Sequence, residues 1–128
     1  MSWSVDDLEV FRRAYEASLE VHRVSRGWPR AEQYGGVADQ LRRSSKSICA
    51  LLAEGVGRQR SSDAEFRRYC VMALGSADET GLWLRYARDL DFLAEEAFAH
   101  WCEEYRVIAR MLQGLIRRMD HGVRSSED

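Results

Sequence analysis

The chain has 128 residues, with 19 Lys+Arg against 21 Asp+Glu, one proline, nine glycines and three cysteines. That length holds one domain with a modest core, and 45% hydrophobic with 31% charged residues excludes both a disordered chain and a membrane-embedded one. A formal net charge of −2 excludes a uniformly basic nucleic-acid coat but leaves room for a local basic patch.

Four apolar-periodic segments follow one another. In the first, Val10, Ala14, Ala17, Val21 and Val24 recur at steps of four and three, with Leu8, Phe11, Tyr15 and His22 beside them. This spacing predicts a helix over roughly residues 5–26. Ser4 reads as its N-cap, with Asp6 and Asp7 in the first turn, and Gly27-Trp28-Pro29 ends it because proline disfavours a helical residue before it.

Gly35-Gly36 opens the second segment, in which Val37, Leu41, Ser44, Ile48, Leu51 and Gly55 keep heptad-like spacing. Gly55-Val56-Gly57 is expected to close it through a left-handed glycine cap. Ser62 and Glu65, three apart, form a capping-box pattern ahead of Phe66, Cys70, Ala73, Ala77, Thr80, Leu84 and Ala87. Asp89-Leu90-Asp91 marks the next break. The fourth helix carries Phe98, Trp101, Tyr105, Ile108, Leu112, Leu115 and Met119, with glutamates toward its start and arginines toward its end, the order that suits the helix dipole. Four helices on short loops predict an all-α, antiparallel up-down-up-down four-helix bundle. It forms a single domain over residues 1–121, with 122–128 a frayed polar tail.

Cys49, Cys70 and Cys102 are odd in number and far apart, which gives no disulfide framework and no zinc site; they read as buried free thiols. A di-iron bundle needs two Glu-x-x-His pairs, whereas Glu96 precedes His100 by four residues and Glu20 precedes His22 by two. The serines beside Lys46 lack a base and an oxyanion arrangement, and the glycines at 55 and 57 lack the strand and Lys-Ser/Thr of a phosphate loop. The reading is a protein with no catalytic residues, metal or cofactor. With acids by the sixth residue, no signal-like segment and no membrane-length apolar run, a cytoplasmic location is expected.

The stretch Ala53-Glu54-Gly55-Val56-Gly57-Arg58, followed by Ser62, Glu65-Phe66-Arg67-Arg68-Tyr69 and Ala73-Leu74-Gly75-Ser76, resembles the signature of a bacterial four-helix-bundle family. The family takes its name from proteins encoded in 23S rRNA intervening sequences and is also called S23-like. Asp7-Leu8-Glu9-Val10, Gln40-Leu41-Arg42-Arg43 and Met111-Leu112-Gln113-Gly114 extend the likeness over about residues 6–119. The resemblance implies a homopentameric barrel. A more distant likeness, to the accessory variability determinant of diversity-generating retroelements, implies RNA or DNA binding and a reverse-transcriptase partner. The chain departs from that relative in lacking a strongly basic balance. It departs from the family in placing Cys49 and Leu51 where a proline and an asparagine are common.

The charges are segregated along the chain. Residues 39–68 hold seven bases (Arg42, Arg43, Lys46, Arg58, Arg60, Arg67, Arg68) and four acids, a net +3; residues 77–104 hold two bases and eight acids, a net −6. The seven bases are the candidate contact surface, for nucleic acid or for the acidic face of a neighbouring subunit. Glu54 and Arg58, four apart, suit an intrahelical pair. With Gly55, Gly57, Gly75 and Ser76 they form the family-like set expected to serve loop geometry and close helix approach. Tyr69, Met72, Trp83 and Tyr86 fall off the inner seam of the third helix, as a wide core or an interface would require.

Overall fold

The computed structural model describes residues 4–59 and 61–127, with side chains to Asp120. Four α-helices account for most of the chain: α1 (Glu9–Ser25), α2 (Val37–Gln59), α3 (Asp63–Asp89) and α4 (Glu95–Glu127). No strand occurs among the described residues. Each helix packs on its neighbours in chain order and α4 closes back on α1, while among the described residues no diagonal pair is in backbone contact. The architecture is the antiparallel four-helix bundle that the spacing predicts.

The N-terminus enters differently from the expectation. Ser4 does not cap α1; its N–H donates to Asp7 Oδ2 at 2.8 Å in a single 3-10 turn, Val5–Asp7. The extended Leu8 then precedes α1. An acid three residues after a serine closes a local box wherever the chain turns, so the motif marks a turn start and not the helix itself. The α1 exit is as expected: Gly27 and Trp28 N–H donate to Val24 and Ser25 carbonyls, and Pro29 stops the helix.

The closure of α2 is corrected. Gly55 and Gly57 do not end the helix, which runs to Gln59, and among the described residues only Gly35 and Asp91 have positive φ. Gly55 is instead a packing residue. A Cβ built there would lie 2.8 Å from Tyr69 Cβ and 3.2 Å from Phe66 Cδ1, so the absent side chain lets α3 seat directly on α2. Ser62 caps α3 by accepting the Glu65 N–H. At the other end of α3, Asp91 (φ 65°) takes the left-handed position that glycine usually fills. Its N–H reaches the Arg88 carbonyl at 3.0 Å and the Phe92 N–H reaches Ala87 at 2.8 Å, a Schellman closure that turns the chain into α4.

The core follows the heptads. All seven seam residues of α3, from Phe66 to Ala87, are buried, and so are Trp101, Tyr105, Ile108 and Leu112 of α4. Two positions slip by one: Leu52 is fully buried where Leu51 was expected, and Ile116 is buried beside Leu115. Helices flanked by two neighbours bury a broader arc than one seam, so adjacent residues share it. Small residues line the α2–α3 seam. The Thr80 hydroxyl lies 2.9 Å from Ser44 Oγ and 2.8 Å from the Ser76 carbonyl oxygen, and the Ser47 and Ser76 hydroxyls meet at 3.1 Å. These bonds satisfy hydroxyls that burial would otherwise leave unpaired.

Candidate functional site

The candidate cations fall into two groups at opposite ends of α2. Arg42 and Arg58 are separated by 16 helical residues, about 24 Å at the helical rise, so the seven do not form one patch. At the α2–α3 end, each cation described faces a carboxylate of its own chain. Arg58 lies 3.9 Å from Glu54, and Arg67 binds Asp120 through Nε at 2.6 Å and Nη2 at 3.3 Å. Arg68 Nε donates to Glu65 at 2.9 Å, and its guanidinium lies 5.0 Å from the centre of the Tyr69 ring. Hydrogen bonds to their carboxylate partners raise the pKa of Arg67 and Arg68. Arg60 lies outside the described residues.

The α1–α2 end is arranged differently. Half-buried Arg42 donates to neutral acceptors only: Ser25 Oγ at 2.9 Å, the Gln33 carbonyl at 3.3 Å and Gln33 Oε1 at 3.0 Å. These bonds clip the loop between α1 and α2 and leave the guanidinium charge in place. Arg43 binds Asp39 at 3.1 Å, and Asp39 Oδ2 also accepts the Gly35 N–H at 2.7 Å; that backbone bond, then Arg43, lowers the Asp39 pKa. Lys46 Nζ lies 3.0 Å from His22 Nδ1. An ammonium only donates, so Nδ1 is the acceptor and the imidazole is neutral. Burial, then the charges of Lys46, Arg42, Arg26 and Arg23, holds His22 below the ordinary histidine value.

Arg23, Arg26 and the exposed Tyr34 belong to this end, and the counts along the chain missed them. The signal was available: residues 23–46 hold six bases against two acids, but the segment spans a helix, a loop and a second helix. Both acids, Glu32 and Asp39, are occupied by backbone N–H groups of the loop and of the start of α2.

The family-like residues also separate. Gly55 holds the α2–α3 contact, Gly57 and Gly75 face open space, and Ser76 sits in the α2–α3 seam. Of the off-seam aromatics, Tyr69 is buried and Trp83 half-buried, while Tyr86 is 48% exposed with its ring 5.5 Å from Trp83. Val71, Leu82, Tyr86 and Leu90 are exposed, and the first three share the outer face of α3 with Gly75. Cys70 is buried, Cys49 and Cys102 half-buried, and all three are free thiols. Burial pushes Cys70 up to about 12 and Cys49 up to about 11, which leaves almost no reactive thiolate at neutral pH.

Between α1 and α4 runs a groove of about 450 Å³, bridged where Arg13 Nε donates to Glu104 at 2.7 Å. Its wall mixes both signs of charge with His100 and Trp101. Among the described residues no group of three His, Cys, Asp or Glu is placed to hold a metal ion, and no helix is long and apolar enough to cross a membrane.

The fold is a four-helix bundle with a small-residue α2–α3 seam. The chain belongs to the 23S rRNA-intervening sequence protein family, whose model matches residues 6–114. Among solved structures it is similar to a protein of unknown function from the S23 ribosomal protein family of Bacteroides thetaiotaomicron VPI-5482. The two superpose with a TM-score of 0.74 at 22% identity, over 84% of this chain and 97% of the other, a likeness of fold. No curated protein matches the chain.

Proposed function

We propose that the chain is a non-enzymatic interaction module of the cytoplasm that works as a homo-oligomer, a pentameric ring. The observation that carries this reading is the outer face of α3. Val71 and Leu82 are each 43% exposed, Tyr86 is 48% exposed, and Gly75 lies between them with nothing within 4 Å of where its side chain would be. A bulky apolar row with a flat point at its middle suits the close approach of a second helix. Leu82 and Tyr86 lie in the acidic part of the chain, residues 77–104 at net −6, and Val71 and Gly75 just before it. A head-to-tail contact, in which this row meets a different face of the next copy, closes as a ring where the rotation per subunit permits. The family resemblance supplies the number five.

Native mass spectrometry at micromolar concentration tests the reading. The wild-type chain is expected as a closed oligomer, and Leu82→Glu with Tyr86→Glu as a folded monomer. A wild-type monomer overturns the proposal; a double variant that keeps the full ring shows that α3 is not the contact.

A further inference from the structure

We infer that the elbow between α1 and α2 binds single-stranded nucleic acid, seating its phosphates among Arg26, Arg42 and Lys46 and stacking a base on Tyr34. This does not rest on the ring: it uses a different surface, carried by different observations.

Four cations surround one point. Lys46 is bonded to His22, Arg26 stands one helical turn beyond His22 on the same side of α1, and Arg42 stands one turn before Lys46 on α2. Arg23 adds a fourth. All four act on the His22 ring. The ring is half-buried, while Arg26, Arg23 and Lys46 are exposed, so the positive field opens to solvent. The Arg42 partners are a hydroxyl, an amide oxygen and a backbone carbonyl, so its side chain is held in place by neutral groups, while Asp39 acts on it through charge alone. That contrasts with Arg58, Arg67 and Arg68, each facing a carboxylate. Asp39 is hydrogen-bonded to Arg43 and to the Gly35 N–H.

Tyr34 is the second, independent feature. It is 86% exposed, the most exposed of the large apolar side chains described. It follows directly on Gln33, which holds Arg42, so the loop that carries it is tied to the cationic row. An open aromatic face beside a row of arginines and lysine is the arrangement that binds unpaired strands, with the bases on the ring and the backbone on the cations. A duplex keeps its base faces stacked and offers none to Tyr34, which is why a single strand is the ligand argued.

His22 makes the site sensitive to pH. The charged groups facing it are Lys46 and Arg42 from α2 and Arg23 and Arg26 from α1, and burial followed by these charges holds its pKa below the ordinary histidine value. A phosphate bound among them favours the protonated ring, so by linkage the affinity rises as pH falls from 7.5 toward 6.

The test is fluorescence anisotropy of the full chain with a labelled 12-nucleotide oligouridylate, beside native mass spectrometry of the same variants. Wild-type binding is expected at 50 mM salt, with a log–log salt slope of about −2 to −3 for three to four phosphate contacts. Arg26→Glu with Lys46→Glu should weaken it at least about 10-fold, with the assembly state unchanged. Tyr34→Ala, at a position too exposed to affect folding, should weaken it about 5-fold and leave the salt slope unchanged. His22→Gln should lose the gain in affinity between pH 7.5 and pH 6. Absence of wild-type binding at 50 mM salt overturns the proposal, as does full affinity in both the charge-reversal and Tyr34 variants. A charge reversal that spares binding but dissolves the oligomer overturns it too, and reassigns the elbow to the acidic face of a second copy.

Discussion

Gly55 and Gly57 stand two residues apart on one helix and do opposite things. Gly57 costs helix stability, because a flexible residue in a helix interior loses more backbone entropy than alanine would. Nothing lies within 4 Å of where its side chain would be. Gly57→Ala is therefore expected to stabilise the fold by about 0.5–1 kcal/mol. Gly55→Ala would carry the same propensity gain but drive a methyl to 2.8 Å from Tyr69 Cβ. The obstacle is the root of a side chain on a packed helix, which cannot swing aside. The net expectation is a loss of about 1–3 kcal/mol, read as opposite shifts of the urea midpoints. Equal midpoints for the two variants would mean that α2 and α3 have room between them that the packing does not show.

Helix ends show what was legible in the sequence and what was not. Ser62 accepts the Glu65 N–H at 3.3 Å, so Ser62→Ala should cost about 1 kcal/mol and lower Tm by about 4 °C, while Ser62→Asp keeps the cap and the stability. That cap was readable because it is written in residues three apart, and the α3 seam was readable because its spacing never breaks. The role of Gly55 was not, because its reason lies in Phe66 and Tyr69 on another helix. A glycine pair looks the same in sequence whether it ends a helix or admits a neighbour. The Asp91 turn was marked by its polar residues, but the left-handed conformation of a non-glycine is fixed by the two bonds back to Arg88 and Ala87. Charge was the least legible. Counting from Asp39 to Arg68 joined cations about 24 Å apart and split Arg42 and Lys46 from Arg23 and Arg26, which the α1–α2 loop folds against them.

At the scale of the whole molecule, the ring of helices is uneven. The α2–α3 seam is the most extensive and α1 against α4 the thinnest, with a groove of about 450 Å³ along it. The one ion pair that bridges that groove among the described residues, Arg13 with Glu104, is partly exposed, and such pairs contribute about 0–1 kcal/mol. The hold on α1 therefore comes mainly from α2, with the Ser25–Arg42 and His22–Lys46 contacts adding to it. Cooperative units with less buried contact open at lower free energy. Amide exchange should accordingly show α1 opening before α2 and α3, and equal protection across α1 and α3 would contradict this. The same helix carries the pH dependence. The folded His22 has its pKa below 6.5, so across that window the unfolded chain binds more protons. The stability contribution is complete above pH 6.5 and is lost as the pH falls through the folded value. Protonation puts a proton on the imidazole nitrogen that accepts from Lys46 and a positive charge beside four others. Protection factors in α1, corrected for intrinsic exchange, should fall between pH 7.5 and 5.5 in the wild type and stay level in His22→Gln; a parallel fall in both would place the sensitive group elsewhere.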